Sequence, residues 1–182
     1  MNLNQVISKS EDISLHWYAL YTMPRSEKKV AERLISNGFE IYLPLLPSYR
    51  TWSDRKKKIW VPLVPGFVFV KSTENKVYES LNVQGALGIL RYMGKPARVR
   101  DYEINNLRIL LKEPEYVNSI EPIDITEGEE IEVIRGPFIG LIGKCIRIQG
   151  KFRIIVEISA LGRVIEVNVP LSFLEKRNGI VA

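Results

Sequence analysis

Cysteine and histidine are almost absent from this 182-residue sequence, which contains one of each, Cys145 and His16. A single cysteine excludes an intramolecular disulfide, and the two residues cannot supply the ligands of a typical structural zinc site. A Cys–His catalytic pair would require these residues to meet, yet each lies in its own apolar, strand-like run. We therefore interpret both as packing residues and expect no metal site.

Long apolar runs are also missing, since none approaches the roughly 20 residues that a membrane-spanning helix requires. Residues 1–15 are polar, carry both charge signs and lack the basic-then-apolar layout of a secretory signal. We interpret them as a flexible tail and expect a cytoplasmic protein that does not associate with a membrane.

The motifs of common enzymes are absent as well. The sequence has no Gly-rich phosphate loop, no nucleophile elbow and no cluster of metal ligands. Adjacent acids such as Glu129 and Glu130 lie at the start of a predicted strand, where a solvated surface explains them. We therefore expect a protein that is not an enzyme, has no catalytic residues and needs no cofactor.

Charge is present in quantity but is unevenly distributed. Residues 1–112 carry 18 basic and 10 acidic side chains, a net charge of +8, whereas residues 113–182 carry 8 and 11, a net charge of −3. This asymmetry suggests that the N-terminal part meets a polyanion or an acidic surface and that the C-terminal part meets a different partner.

Strand and helix patterns alternate over residues 16–111. A helix is predicted after Ser26, with Val30, Ala31, Leu34 and Ile35 on one face, and a last helix follows Asp101. The strands between them are short and apolar. This alternation predicts an α/β sandwich in which helices flank an antiparallel sheet.

Residues 112–127 interrupt this pattern with two prolines and five acids, and we predict a linker there. From residue 128 to 177 only strand signals remain, separated by glycines, which predicts a small β-barrel. The predicted fold class is thus α+β, with an N-terminal sandwich followed by a small barrel.

A hairpin is predicted over residues 45–63, with its tip near Ser53–Lys58. Basic residues there are interleaved with Trp52 and Trp60, a combination that suits single-stranded nucleic acid. The alternative is a solvated tip whose tryptophans pack inward. The candidate nucleic-acid contacts on this hairpin are Arg50, Arg55, Lys56, Lys57 and Lys58. Arg25, Lys28 and Arg91 are further candidates in the N-terminal part.

Three stretches carry a family resemblance: WYALYTMPRSEKKVAER from Trp17, VPLVPGFVFV over 61–70, and GEEIEVIRGPFIGLIG over 128–143. In this order and spacing the chain resembles the NusG family, an N-terminal polymerase-binding domain followed by an SH3-like KOW domain. The segment WSDRKKK from Trp52 and the opening stretch are most similar to the specialised UpxY-like transcription antiterminators.

The resemblance implies that the N-terminal domain binds RNA polymerase and suppresses pausing and termination. In the family an apolar patch docks on the clamp helices of the largest polymerase subunit. The matching positions here are Val64, Phe67, Phe69, Ile104 and Leu107. The first and last positions depart from the family, which usually has Phe-Pro-Gly-Tyr where this chain has Val64-Pro65-Gly66-Phe67, so an aromatic ring and a hydroxyl are lost. The alternative for some of these residues is packing in the domain's own core, because alternate residues of a strand face opposite sides.

The same resemblance implies further partners. The second large polymerase subunit is contacted across the DNA channel, here near Lys76–Glu79, and the non-template DNA strand is a target for the basic residues. The KOW domain would act as a tethered adaptor for a small-subunit ribosomal protein, with Phe138, Ile139 and Ile142 as contacts, although Phe138 also suits the barrel core. We expect a monomer. The sequence does not decide whether the C-terminal domain can also adopt a helical form.

Two alternative functions stay open at this point. The first is an RNA-binding or ribosome-associated KOW protein, which would have no use for an exposed Phe67. The second is the general housekeeping NusG. It differs from a specialised factor, which typically serves long operons for surface polysaccharides, by acting on all operons.

Overall fold

A computed structural model describes residues 14–52, 55–112, 117–121, 128–148, 151–169 and 171–177. The predicted tail therefore lies almost entirely outside the described residues. Within those ranges the chain forms two antiparallel sheets, two further hairpins, two α-helices and three short 3-10 turns. Their bounds are β1 His16–Thr22, α1 Glu27–Ser36, β2 Glu40–Tyr42, β3 Leu45–Trp52, β4 Arg55–Pro62, β5 Phe67–Ser72, β6 Ala86–Ile89, β7 Arg91–Tyr92, β8 Lys95–Pro96, β9 Arg98–Val99, α2 Asp101–Leu110, β10 Val117–Glu121, β11 Glu129–Val133, β12 Ile142–Ile148, β13 Lys151–Ile158, β14 Arg163–Val167 and β15 Leu174–Lys176, with 3-10 turns at Lys76–Asn82, Ser159–Leu161 and Leu171–Phe173.

The N-terminal sheet has the order β2-β5-β1-β6, and β9 also pairs with β1. Alternation along β5 sends its side chains to two different cores, because successive residues of a strand face opposite sides. Val68 and Val70 lie in one apolar cluster with α1, whereas Phe67 and Phe69 lie in another with α2. The sheet is thus buried on both faces, which explains its nearly continuous apolar strands.

Helix α1 covers the first face with Val30, Ala31 and Leu34, as predicted, whereas Ile35, predicted on the same face, is 58% exposed. It ends where expected, because Gly38 adopts the left-handed conformation, with φ of 79°. The Phe39 N–H then reaches back to the Leu34 carbonyl at 3.0 Å and satisfies a terminal acceptor.

The C-terminal sheet has the order β10-β14-β13-β12-β11-β15, with every neighbour antiparallel. Ile154, Val156 and Ile158 on β13 alternate into its core. Segment 112–127, for which we predicted a linker, contains strand β10, and this strand pairs with β14. Strand β10 therefore belongs to the C-terminal β-domain, the name used below for residues 117–177.

The two domains share one apolar cluster rather than lying apart. Phe67 and Leu107 of the N-terminal domain belong to the same cluster as Val133, Leu141 and Ile158 of the C-terminal β-domain. The fold class predicted from the sequence, α+β with a helix-flanked antiparallel sheet followed by a small β-domain, is confirmed. Neither α-helix in the described part of the chain is long and apolar enough to span a membrane.

Candidate functional site

The predicted docking residues surround a tight turn between β4 and β5. Gly66 adopts φ of 83°, a left-handed conformation that glycine adopts without steric cost. Its N–H donates to the Glu27 carboxylate at 2.8 Å, and its carbonyl accepts from the Thr22 N–H at 2.9 Å. Glu27 is 5% exposed although it lies in the first turn of α1. A buried carboxylate thus fixes the position at which β5 begins.

Phe67 is held between the two domains. Its register partner on β1 is Tyr21, and their rings lie 4.6 Å apart at a tilt of 44°. The Arg163 guanidinium of the C-terminal β-domain lies 5.7 Å from the centre of the Phe67 ring. Such a cation–π contact contributes about 1 kcal/mol when partly desolvated. Phe67 itself is 6% exposed in this arrangement.

Phe69 continues the same face of β5 and is fully buried against aromatic neighbours. Its ring stacks on Tyr42 at 6.4 Å, and Tyr42 meets Trp17 edge-on at 6.5 Å. The Arg108 guanidinium of α2 lies over both Tyr42 and Trp17, at 5.3 and 5.8 Å. Burial raises the pKa of Tyr42 to about 12, against a smaller opposing effect of the Arg108 charge. The phenol therefore stays neutral at physiological pH.

All five predicted docking residues are buried as the domains are arranged here. Val64 and Ile104 are each 1% exposed, and Phe69 and Leu107 are fully buried. The sequence predicted an apolar patch at these positions, and the structure gathers all five into one cluster. It also adds the C-terminal β-domain to that cluster, so the predicted patch is not a free surface in this arrangement.

Helix α2 is buried along two adjacent stripes. The first stripe consists of Ile104 and Leu107 and continues to Leu111. Arg108 lies beside it and contacts Trp17 of the sheet. Glu103, Asn106 and Ile109 form the second stripe, three residues apart, and this stripe contacts the C-terminal β-domain. The contact of this stripe, with its two polar residues, with another domain was not predicted.

Two side chains of the second stripe bind the backbone of the C-terminal β-domain. The Asn106 amide donates to the Ile142 carbonyl at 2.7 Å and accepts from the Ile142 N–H at 3.1 Å. The Glu103 carboxylate accepts from the Ser159 N–H at 2.8 Å and, through its other oxygen, from the Arg100 N–H at 2.9 Å. Glu103 and Asn106 are each 1% exposed, so these bonds satisfy polar groups that would otherwise be buried unpaired.

Sequence reasoning missed Glu27, Glu103, Asn106 and Arg163. The sequence did contain one usable signal for two of them. Glu103 and Asn106 are polar residues whose helical spacing places them beside Leu107 and Leu110 on a buried face. A polar residue at such a position indicates a specific hydrogen bond.

The basic hairpin forms from β3 and β4, paired in full register. Its tip, Ser53 and Asp54, lies outside the described residues, and the basic residues from Arg55 to Lys58 lie on β4 rather than at the tip. Arg50 is the register partner of Lys57. Lys58 lies over Trp60 at 5.2 Å, and Trp60 is 49% exposed. That exposure argues against the alternative in which this tryptophan packs inward.

The remaining candidate nucleic-acid contacts lie on other elements. Arg25 precedes α1 with a left-handed φ of 62°, and Lys28 lies in the first turn of that helix. Arg91 begins β7, and its guanidinium lies over the Tyr78 ring at 5.7 Å. All three side chains are exposed. Lys57 and Lys58 are exposed as well. Every predicted nucleic-acid contact whose side chain the structure describes is therefore exposed.

The predicted adaptor residues separate into two kinds. Phe138 is 2% exposed and lies in the shared core, which favours the core alternative over a contact residue. Ile139 is 60% exposed, and Ile142 is half-buried with its backbone bound to Asn106. Ile139 is therefore the predicted adaptor contact that solvent reaches in this arrangement.

The described residues contain no group of three or more His, Cys, Asp or Glu side chains able to hold a metal ion. Cys145 is a half-buried free thiol on β12, and His16 contacts Ser14 at 2.7 Å at the start of β1.

The residues at the domain contact can bind apolar and aromatic surfaces, and the exposed basic residues can bind anions.

Comparison with known proteins finds similarity to one family over most of the chain. The profile of the family described as "Transcription termination factor nusG" matches residues 15–108, just over half of the chain. The protein named transcription termination/antitermination protein NusG from Staphylococcus carnosus (strain TM300) is 24% identical over 180 residues, covering 92% of this chain and 99% of that protein. The protein of the same name from Rickettsia bellii (strain RML369-C) is 22% identical over 189 residues, covering 97% and 98%. A solved structure described as "Domain interaction in Thermotoga maritima NusG" is 25% identical, with a TM-score of 0.48, over 90% of this chain and 97% of that one.

Proposed function

This chain belongs to the NusG family and is a NusG-type transcription factor, and we propose that it binds bacterial RNA polymerase and suppresses pausing and termination. The observation that carries this proposal is the apolar cluster around Phe67. Val64, Phe67 and Phe69 on or before β5 and Ile104 and Leu107 on α2 lie in that one cluster. Apolar and aromatic residues gathered in this way suit the helical tip of the polymerase clamp in the largest subunit.

The mechanism we propose requires binding alone. A factor that bridges the largest subunit and the second large subunit across the DNA channel disfavours opening of the clamp, because its binding energy favours the closed, elongating state. The contact with the second subunit would lie near Lys76–Glu79, on the first 3-10 turn. No covalent step and no cofactor enters this mechanism, in keeping with a protein that is not an enzyme.

Basic side chains on the N-terminal domain support a contact with the exposed non-template DNA strand. Lys57 and Lys58 lie on β4 beside the half-exposed Trp60. Phosphates attract such charges, and unstacked bases pack on exposed aromatic rings. The C-terminal β-domain would serve as the adaptor for a small-subunit ribosomal protein, through the exposed Ile139 and the adjoining Ile142.

Within the family we propose a specialised antiterminator of the UpxY type, which serves particular long operons such as those for surface polysaccharides. The support is the segment WSDRKKK and the opening of the chain. A general elongation factor is the second candidate, because relatives that match across nearly the whole chain are named transcription termination/antitermination protein NusG. The two differ in whether the protein acts on few templates or on all.

Terminator readthrough in a purified transcription system tests the proposal. The full chain is added to cognate RNA polymerase on templates with and without the leader of a surface polysaccharide operon. We expect increased readthrough, and a Phe67→Ala variant that folds should lose it because the central aromatic contact is gone. An Ile35→Ala variant serves as control, since Ile35 is 58% exposed on α1, outside the cluster. Readthrough unchanged by the full chain on every template would refute antitermination, and readthrough on all templates alike would favour the general factor.

A further inference from the structure

The β7–β8 hairpin lies at the opposite edge of the N-terminal sheet from the basic β3–β4 hairpin. Strand β5 occupies one side of β1, and β6 and β9 both pair with the other side. The β3–β4 hairpin follows the edge strand β2, whereas β7 and β8 connect β6 to β9. Because three strand spacings separate β2 from β6, the two hairpins leave the sheet about 14 Å apart.

A tight turn presents an aromatic ring and a cation together on the β7–β8 hairpin. Tyr92 pairs with Lys95 across the two-residue turn Met93–Gly94, in which φ is 49° and 80°. Two positive φ angles are typical of the turns that join twisted strands directly. Directly paired residues share a face of a hairpin. Since Pro96, the partner of Arg91, is buried, Tyr92 and Lys95 lie together on the face toward solvent.

Basic residues surround an open cavity of about 800 Å³ beside this hairpin. Arg98 and Arg100 flank Val99, which is buried in the core, so both face away from that core. Two acids, Glu74 and Glu103, also line the cavity. The basic residues of the lining are four and all exposed: Arg91, Lys95, Arg98 and Arg100.

The acids of the lining leave most of this positive charge in place. The Glu103 carboxylate is 1% exposed and accepts from the Ser159 N–H and the Arg100 N–H. Glu74 pairs with the Arg98 guanidinium at 3.5 Å. The Arg100 guanidinium donates to the neutral Tyr102 hydroxyl at 2.9 Å and keeps its charge. The cavity therefore suits an anion.

Exposed aromatic rings narrow the class of anion. Tyr92 is 73% exposed, and Tyr78 on the first 3-10 turn is 38% exposed. The Arg91 guanidinium lies 5.7 Å from the centre of the Tyr78 ring. Cations beside exposed rings match a single strand of nucleic acid, whose phosphates attract the charge and whose bases stack on the rings. An acidic protein segment would match the charge and leave the rings unused.

We propose that the β7–β8 hairpin and the cavity beside it form a second binding site for single-stranded nucleic acid. Tyr92 stacks on a base, and Lys95 and Arg100 contact phosphates. This site is separate from the one proposed on the β3–β4 hairpin, and it does not depend on polymerase docking. RNA and DNA share the chemistry that the site recognises, so the transcript and an exposed DNA strand are its two sources.

Photo-cross-linking of the unmodified full chain locates the bound strand. Iodouracil-substituted RNA and DNA of one sequence are irradiated with the protein, and mass spectrometry identifies the attached residues. We expect attachment at Tyr92 as well as at Trp60 of the β3–β4 hairpin. The ratio of RNA to DNA at Tyr92 distinguishes the two sources. Attachment of both strands at Trp60 alone would overturn the inference.

A variant without the β3–β4 site isolates the second site. In a Lys57→Gln, Lys58→Gln background, Tyr92→Ala should weaken oligonucleotide binding about 10-fold, because one stacked base is lost. Leu87→Ala in the same background is the matched control, since Leu87 is 60% exposed on β6 and does not line the cavity. Fluorescence anisotropy gives the affinities. Equal affinity of the Tyr92→Ala and Leu87→Ala proteins would refute the second site.

The salt dependence in that background tests the phosphate contact separately. Lys95→Gln should reduce the slope of log affinity against log salt by roughly 0.7, the value for one phosphate of a single strand. Lys112→Gln removes the same charge from an exposed position outside the cavity and should keep the slope. A slope that Lys95→Gln leaves unchanged would remove Lys95 from the site and contradict the proposed phosphate contact.

Binding to core RNA polymerase free of nucleic acid separates this site from a protein contact. Tyr92→Ala should bind that enzyme as tightly as the wild type, because Tyr92 lies outside the cluster around Phe67. Weaker polymerase binding with unchanged oligonucleotide binding would assign the hairpin to the polymerase and overturn the inference. Oligonucleotide binding requires no polymerase, so a failure of the docking function would produce neither result.

Discussion

Buried polar residues position the apolar ones at the candidate site. Glu27 illustrates this, because its carboxylate binds the Gly66 N–H and thereby sets where Phe67 enters the sheet. The Gly66 carbonyl also accepts from the Thr22 N–H, so one hydrogen bond from α1 and one from β1 hold this turn. One hydrogen bond from α1 therefore links the first helix to the proposed docking face.

The role of Glu27 predicts the effect of its removal. Glu27→Ala leaves the Gly66 N–H without its acceptor, so the free energy of unfolding should fall by about 1–3 kcal/mol. Glu32→Ala on the exposed side of the same helix should change it little. Urea unfolding followed by circular dichroism measures both variants. A Glu27→Ala protein as stable as the Glu32→Ala protein would show that the bond does not support the turn.

The residues of this turn were only partly accessible to sequence reasoning. Alternation along β5 predicts that Phe67 and Phe69 share a face, and they do. The importance of Glu27 could not be predicted, because its partner Gly66 lies 39 residues away in the sequence. A glutamate in the first turn of a helix is ordinarily a solvated residue that interacts with the helix dipole.

At the scale of elements, α2 and the β3–β4 hairpin serve different proposed partners. The periodicity of α2 predicts a helix and the stripe with Ile104 and Leu107, and both are found. The partners of Glu103 and Asn106 on the second stripe could not be predicted from the sequence, because these side chains bind the backbone of Ser159 and Ile142. Backbone groups are common to all residue types and leave no signature in the sequence.

On the hairpin, the described basic side chains Lys57 and Lys58 are exposed beside the half-exposed Trp60. The strands and their pairing were predicted, whereas the place of the basic residues on β4 instead of the tip was not.

The hairpin charges predict a salt-dependent affinity for single-stranded DNA. Neutralising two phosphate contacts in a Lys57→Gln, Lys58→Gln variant should weaken binding and reduce the slope of log affinity against log salt by roughly 1.4. A Lys112→Gln, Arg135→Gln variant has the same net charge and should keep the slope, because both residues are exposed elsewhere. Fluorescence anisotropy between low and moderate salt gives the slopes. Equal slopes in the two variants would contradict a role for the hairpin in DNA binding.

At the scale of the whole molecule, the two domains form one packed unit with a continuous apolar cluster. The sequence predicts each domain, since their strand and helix patterns differ, but it does not predict that they pack together. Strand β10 shows why. It lies among the prolines and acids of the predicted linker, yet pairing with β14 makes it part of the C-terminal sheet. Tertiary pairing of this kind overrides local composition.

The central claim is that this chain binds RNA polymerase through the Phe67 cluster, and direct binding to bacterial core RNA polymerase tests it. The full chain is compared with the Phe67→Ala and Ile35→Ala variants, after circular dichroism has shown that each is folded. Phe67→Ala also removes the ring under Arg163 and so weakens the contact between the two domains. A loss of affinity would therefore report docking and not tighter packing of the two domains.

We predict that the wild type and Ile35→Ala bind with equal affinity and that Phe67→Ala binds at least about 30-fold more weakly, as expected for a central aromatic residue of an interface. A folded Phe67→Ala protein that binds core RNA polymerase as tightly as the wild type would contradict the account.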